Sequence, residues 1–423
     1  MKRMFRRLWA GEIGRVRHVW YWRLLLLIIL VAVGYVLVEI AVTKSPDFGY
    51  ADVAAIRAGS EAAPPGHVWL QQHIGTIWLW MAGACAAWRV TIIVASYLLA
   101  WRRFDRDDFL HQFVVHGLAA VIGIASAVGL LLLIGLLSLA FGGDFGAGVT
   151  SLDTGALALE DWLDTHIPTL FSINSYPVAI LLIYVMTSFP GWVIHWLSHR
   201  SRFLWYTLHR PHHAAEILHP LGNAPAFLFE FFLAFPRVII AAALLKLCYH
   251  TPLVMEASLI FLLFYFVEIF SHSSVHYRFA YRNPIVRNLC RLVGDAGVYH
   301  YLHHSSAQDA QMVNLGGGPF NLWDRLFGTY RKPPPDPPPI GLTGQPPLHM
   351  NPLRVIFSGF VHIAYELRYN RSWKTRFQIV FGGVEFQPPV SKEFLIRYPE
   401  SESQTDKGSK GGVVRQKGPH SDG

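Results

Sequence analysis

The sequence predicts an all-α fold: a multi-span transmembrane helical bundle with a helical cap at its cytoplasmic face. Three observations predict it. Hydrophobic residues make up 52% of the 423 residues and charged residues only 15%, against about 25% charged in ordinary soluble domains. Several apolar runs reach the roughly 20 residues that a helix needs to cross a hydrocarbon core. Histidines recur at helical spacing in the stretch that follows the last long apolar run.

The spans follow in order. Residues 20–42 form the first; the basic residues before it resemble a signal peptide, but no small-residue cleavage site follows promptly, so the span is expected to be retained. Residues 74–101 form the second, with Arg89 as an interior charge that needs a partner or a wet face. Residues 109–143 and 167–194 contain no Asp, Glu, Lys or Arg and hold the third and fourth, with Pro177 and Pro190 expected to shape the ends of the fourth. Residues 226–245 and 253–270 make an apolar hairpin around His250, Thr251 and Pro252; Glu230, Arg237, Glu256 and Glu268 suggest that it is partly buried in protein.

Positive residues beside spans stay cytoplasmic. Lys2, Arg3, Arg6, Arg7, Arg15, Arg17 and Arg23 precede the first span, and Arg102, Arg103 and Arg106 separate the second from the third. The loop after the third span carries Asp144, Asp153, Glu160, Asp161 and Asp164 with no Lys or Arg. Alternation then puts the N-terminus, the residues from about 195 onward and the C-terminus in the cytoplasm. Residues 1–165 are thus an N-terminal transmembrane region of about three spans. Further on, Pro333, Pro334, Pro335, Pro337, Pro338 and Pro339 mark residues 331–350 as a stiff, non-helical linker. Residues 351–398 form a C-terminal amphipathic or surface segment, helical over about 352–381, and residues 399–423 have the composition of a disordered tail.

The net charge of +8 does not imply nucleic acid, because the basic residues sit beside apolar runs as membrane topology requires. Cys85, Cys248 and Cys290 form no C-x-x-C pair, which excludes a cysteine zinc site and a disulfide framework. A metal must therefore be held by other ligands.

Ten of the 21 histidines fall in four clusters: His195 and His199; His209, His212 and His213; His272 and His276; His300, His303 and His304. On a helix, residues at i, i+3 and i+4 share a face, so each cluster is expected to aim its imidazoles at one point. Ten imidazoles exceed the four to six ligands that one first-row ion takes, so two ions are the economical reading. Imidazole suits iron, zinc and copper alike. A lone histidine pair is more often structural; four clusters at one membrane face are not. The remaining histidines are read as structural or incidental, with His219 the nearest to an exception. Asp309, Asp324 and Glu216 are candidate partners for the outer imidazole nitrogens, Asp324 with the competing role of capping the segment through Gly328.

These residues resemble the fatty acid hydroxylase and sterol desaturase superfamily of membrane di-iron enzymes. The resemblance rests on H-W-L-S-H at 195–199, H-R-P-H-H at 209–213, F-S-H-S-S-V-H at 270–276 and H-Y-L-H-H at 300–304. It extends to Asn314, Leu315 and Gly316 and to the run from Trp323 to Tyr330, covers roughly residues 175–330, and fades by about residue 390. It makes residues 166–330 the catalytic region, with all ten histidines as catalytic iron ligands. It implies two iron ions as cofactor, O2 as cosubstrate and a lipid substrate, such as a fatty acyl chain, a sterol or a lipid headgroup, with hydroxylation favoured over desaturation. Arg200 follows the second histidine of the first box, where many relatives place an arginine after the first. No haem segment of the cytochrome kind precedes the spans, so electrons are expected from a separate donor, cytochrome b5-like or of the ferredoxin and reductase type. Arg200, Arg202, Arg210, Arg278 and Arg282 form a basic face better explained by positive-inside bias than by a dedicated docking site. A non-catalytic metal-binding membrane protein is the rival from another class. A transporter, however, places its ligands near the bilayer midplane in repeated, interrupted helices, and no repeat is visible.

Overall fold

The computed structural model describes residues 65–100, most of 165–219, short stretches within 114–122 and 240–267, most of 270–342, and 352–392. The expected first span, most of the third, most of the apolar hairpin, Asp309 and the 399–423 tail lie outside the described residues. Among those described, every regular element is helical, and the β contacts are isolated bridges, Ser201 to Gly383 and Ser305 to Ile340.

Helix α1, Pro65–Ala100, covers the expected second span and begins earlier. Helix α2, Tyr176–Arg200, opens on Ser175 in an extended conformation with a proline in its first turn, where a missing amide costs nothing. Among the described residues it is the one helix long and apolar enough to cross a membrane, and only 22% of its most apolar window is buried, unlike a soluble core helix. It starts later than the apolar run and continues through His195 and His199. Pro190 lies inside it, buried, rather than at its end.

The chain then turns sharply through α3, Arg202–Leu204, a π turn, Trp205–His209, and α4, Arg210–His213. Helices α5, Tyr277–Arg282, α6, Pro284–Val293, and α7, Val298–His303, follow. A 3-10 turn, Pro319–Asn321, leads into α8, Leu322–Leu326. The C-terminal segment divides into α9, Pro352–Tyr369, and α10, Trp373–Phe381, the latter capped by Ser372, whose hydroxyl accepts from the Thr375 amide.

The main core gathers Ile92 of α1, Tyr277 and Ala280 of α5, Cys290 and Val293 of α6, and Val298 and Tyr301 of α7. A second cluster sets Ala179 and Ile183 of α2 against Leu245, Cys248 and Tyr249. There the Leu170 and Ile173 amides donate to the carbonyls of Leu247 and Cys248.

Helix α9 covers the π turn. A Cβ on Gly359 would stand 1.7 Å from the Tyr206 carbonyl oxygen, so glycine is required for the two backbones to meet. Below this contact Arg202 and Glu366 form a two-pronged ion pair, at 2.7 and 2.8 Å, with both side chains almost wholly buried. Ser391 donates to the same carboxylate at 2.6 Å, the Arg202 Nε donates to the Phe386 carbonyl, and the His362 ring stacks on Tyr206. Burial alone would raise the Glu366 carboxyl, but hydrogen bonds from His362, Ser391 and Arg202 outweigh it and hold the group below its ordinary 4.5. This corrects the reading of a continuous basic face: Arg202 and Arg210 are buried, and of the five arginines only Arg200, Arg278 and Arg282 are exposed.

The proline run is non-helical, as expected, but it is also held in place. The Tyr277 hydroxyl donates to the Pro334 carbonyl at 2.6 Å, the Ser306 amide to Pro339 and the Gly341 amide to His304. It lies across the edge of the histidine-bearing region.

Candidate metal centre

Each histidine cluster sits on a different local frame. His195 and His199 end α2, one helical turn apart. His209 closes the π turn, and His212 and His213 lie in α4. His272 sits among turns before α5. His300 and His303 belong to α7, with His304 as its C-terminal cap.

Nine of the ten imidazoles come together in two groups. His195, His199, His209, His213 and His303 form one; His212, His272, His300 and His304 form the other. Except for His195, which is half-buried, all are buried. The groups adjoin, with the His213 and His304 rings stacked 4.4 Å apart.

The grouping corrects the expectation that each cluster aims at a single point. Both three-histidine boxes are split. His209 and His213 turn toward one group and His212 toward the other; His300 and His304 share a group while His303 joins the opposite one. Residues i and i+4 lie about 40° apart on a helix, whereas i+3 falls about 60° to the other side, so the middle histidine must diverge.

His276 joins neither group. Its Nε2 lies 3.1 Å from the Ser96 hydroxyl of α1. The i, i+4 argument does not reach this pair, because residues 270–276 are turns and helix begins only at Tyr277. His219, buried, is also outside both groups, and neither group contains a carboxylate among the described residues.

The nitrogen spacing decides between a hydrogen-bonded cluster and a metal site. His209 Nε2 is 3.1 Å from His195 Nε2, 2.9 Å from His199 Nε2 and 3.0 Å from His213 Nε2. An imidazole nitrogen carries one hydrogen or one lone pair, so it cannot satisfy three such neighbours. Nitrogens about 2.1 Å from a common ion and at right angles lie about 3.0 Å apart. His199 and His303 meet at 3.0 Å, and the second group repeats the pattern at 3.3 Å for His272 and His212 and 3.1 Å for His304 and His300. The residues therefore fit metal ions.

The outer nitrogens fix the tautomers. His195 Nδ1 donates to the Leu315 carbonyl and His303 Nδ1 to the Val313 carbonyl, leaving each Nε2 with its lone pair turned inward. Burial, reinforced by the charge that neighbouring imidazoles would carry, holds His209, His213, His300, His303 and His304 well below their ordinary 6.5. They are neutral near pH 7, as a ligand must be.

Those two carbonyls belong to a loop of unusual backbone. Asn314, Gly316, Gly318, Phe320 and Asn321 all have positive φ. Asn314 holds the loop shut, its Nδ2 donating to the carbonyls of Tyr299 and Arg331 and its Oδ1 accepting from the Arg331 amide. Asp324 Oδ1 accepts from the Leu315 amide, the Trp192 indole and the Thr329 hydroxyl. Its main-chain carbonyl also accepts from the Thr329 and Tyr330 amides, so the supporting and capping roles coexist. Backbone carbonyls have no signature in a sequence, which is why Val313 and Leu315 were not singled out as partners for the imidazoles.

Residues 180–329 match the family model for fatty acid hydroxylase. This segment is a fatty acid hydroxylase domain. It places the region in the fatty acid hydroxylase and sterol desaturase superfamily, within the bounds that the histidine motifs suggested. No curated protein and no solved structure matches the chain. All nine grouped histidines lie inside the fatty acid hydroxylase domain, whereas α1, α9 and α10, which pack around it, lie outside the matched residues.

Proposed function

We propose that the protein is a multi-pass membrane oxygenase that hydroxylates a lipid, with two iron ions at a cytoplasmic-face site. One observation carries the reading: five and four imidazoles converge as adjoining groups at the end of a membrane-length helix, within a fatty acid hydroxylase domain. The first group holds one ion and the second the other. Bound there, iron supplies the redox chemistry that lets O2 oxidise an unactivated C–H bond.

The overall change consumes O2, two electrons and two protons, gives the hydroxylated lipid, and releases one water. The electrons are supplied by a separate donor protein. The protein's own part is positional. The Leu315 and Val313 carbonyls set the tautomers of His195 and His303, and burial keeps His209, His213, His300, His303 and His304 neutral and water away from them.

The test is anaerobic purification, iron counting, and oxygen-dependent turnover of lipid extracts read by mass spectrometry, with His303→Ala beside the unaltered chain. Products carrying one added oxygen support hydroxylation. Products short of two hydrogens indicate the desaturase reading. Full iron loading with no oxygen consumption overturns the enzyme and favours a non-catalytic metal-binding membrane protein.

A further inference from the structure

Helix α6 presents an apolar stripe that none of the other described residues covers. Ile285, Leu289 and Leu292, spaced i, i+4, i+7, are all exposed, Ile285 at 71%, while Arg287 and Arg291 occupy the opposite side. Phe320 and Leu326, of the neighbouring 3-10 turn and α8, are also more than half exposed. The Arg291 guanidinium, from the other side of α6, lies 5.8 Å from the Phe320 ring and sets the turn beside the helix. Singly exposed apolar side chains are ordinary, but a contiguous belt of large ones marks a contact surface.

The place of the belt on α2 identifies what covers it. Val178 and Leu181 are exposed in the first two turns of α2, no residue from 182 to 196 is, and Leu197 is exposed again near the C-terminal end. The belt begins where the exposure of the first two turns ends. The Tyr184 hydroxyl donates to the Leu292 carbonyl, and slightly further along α2 the Trp323 indole donates to the Ser188 hydroxyl at 2.8 Å while Phe327 stacks on Trp192. The lipid-facing surface of the span thus runs directly into the belt.

We infer that α6 and α8 lie in the plane of one leaflet, with Ile285, Leu289, Leu292, Phe320 and Leu326 seated at the boundary between headgroups and acyl chains. Helices with one apolar side and cationic residues on the other bind there. Helix α7, with His300, His303 and His304, follows α6, so this seat sets the height of the metal centre below the leaflet.

A rival surface makes the inference testable. Trp373, Phe377 and Phe381 form an exposed stripe on α10, but α10 is tied to the other end of α2, where the Val384 amide donates to the Arg200 carbonyl. Tyr184 and Arg200 are separated by about 24 Å of helix at 1.5 Å per residue. The two stripes therefore occupy different depths, and the inference puts α10 in water.

The inference rests on the membrane reading above, and the experiment separates the two. Spin labels are placed singly through Leu181→Cys, Leu289→Cys and Phe377→Cys in the full chain, in nanodiscs of phosphatidylcholine and phosphatidylglycerol. The native cysteines, all buried and in no disulfide, are checked in the unsubstituted chain. Collision with oxygen is compared with collision with a water-soluble nickel chelate. Labels at 181 and 289 are expected to favour oxygen severalfold and the label at 377 to favour nickel. A lipid signal at 181 with a water signal at 289 overturns the leaflet seat and leaves the membrane reading standing; a water signal at 181 as well overturns the membrane reading itself. Spin–spin broadening between copies at 289 would mean that a second copy covers the belt, and also overturns the inference. Leu326→Cys reads the same belt from α8 should the α6 substitution impair folding.

Discussion

Asp324 receives the Leu315 amide at 2.9 Å, and the carbonyl of the same Leu315 receives the Nδ1 hydrogen of His195. A buried carboxylate thus orients a candidate metal ligand through one intervening residue. Burial raises the Asp324 carboxyl above its ordinary 3.8, an effect only partly offset by hydrogen bonds from Thr329, Trp192, Leu315 and Asn321.

Asp324→Ala strands these donors, each orphaned buried group costing about 1–3 kcal/mol. The expected outcome is a lowered melting temperature together with weaker iron retention, since lost outer partners of metal ligands typically cost 10–100-fold in affinity. Asp324→Asn, which keeps an acceptor, is expected to fall between the two. An alanine variant with unchanged melting and iron content would refute the relay.

His303→Ala and His276→Ala, compared by iron content per chain, should separate sharply. The first removes a member of the five-histidine group and should lower bound iron; the second removes a ring that faces Ser96 and should leave it unchanged. Equal losses in both would return His276 to the ligand set.

The contrast between these two histidines shows what the sequence could and could not disclose. Helical boxes at 195–199, 209–213 and 300–304 were legible because periodicity on a helix fixes direction. The 272–276 pair has the same spacing without the helix, so the rule that made the others readable fails there. The divergence of the middle histidine is local, but which rings of the two boxes then meet depends on how α4 and α7 face each other, which no local pattern encodes. Arg202 looked like one more surface cation because its partner, Glu366, lies on α9, far along the chain.

Glu366→Ala leaves Arg202 buried without its counter-charge, and breaking a buried pair in this way costs about 3–5 kcal/mol. Thermal unfolding should show it, and replacing both residues by apolar ones of similar size should recover much of the loss. The pH dependence has a definite sign. Glu366 is held below its ordinary 4.5, so its contribution is present above that value and is lost as pH falls through the depressed one. Melting profiles of Glu366→Gln should therefore flatten on the acid side relative to the unaltered chain.

Gly359→Ala forces a methyl group into the Tyr206 carbonyl, and overpacking of this kind typically costs about 1–3 kcal/mol. Because the π turn below it ends at His209, iron retention should fall along with stability. An alanine variant that melts normally would mean that α9 can lift away without consequence for the turn.

The divided boxes have one more consequence. Since His209 and His213 serve one group while His212, in the same turn, serves the other, and α7 with its cap repeats the arrangement, both pockets are gauged by the same two short lengths of backbone. The separation of two ions held there would be inherited from the pitch of a peptide helix, a ruler that side-chain repacking cannot stretch.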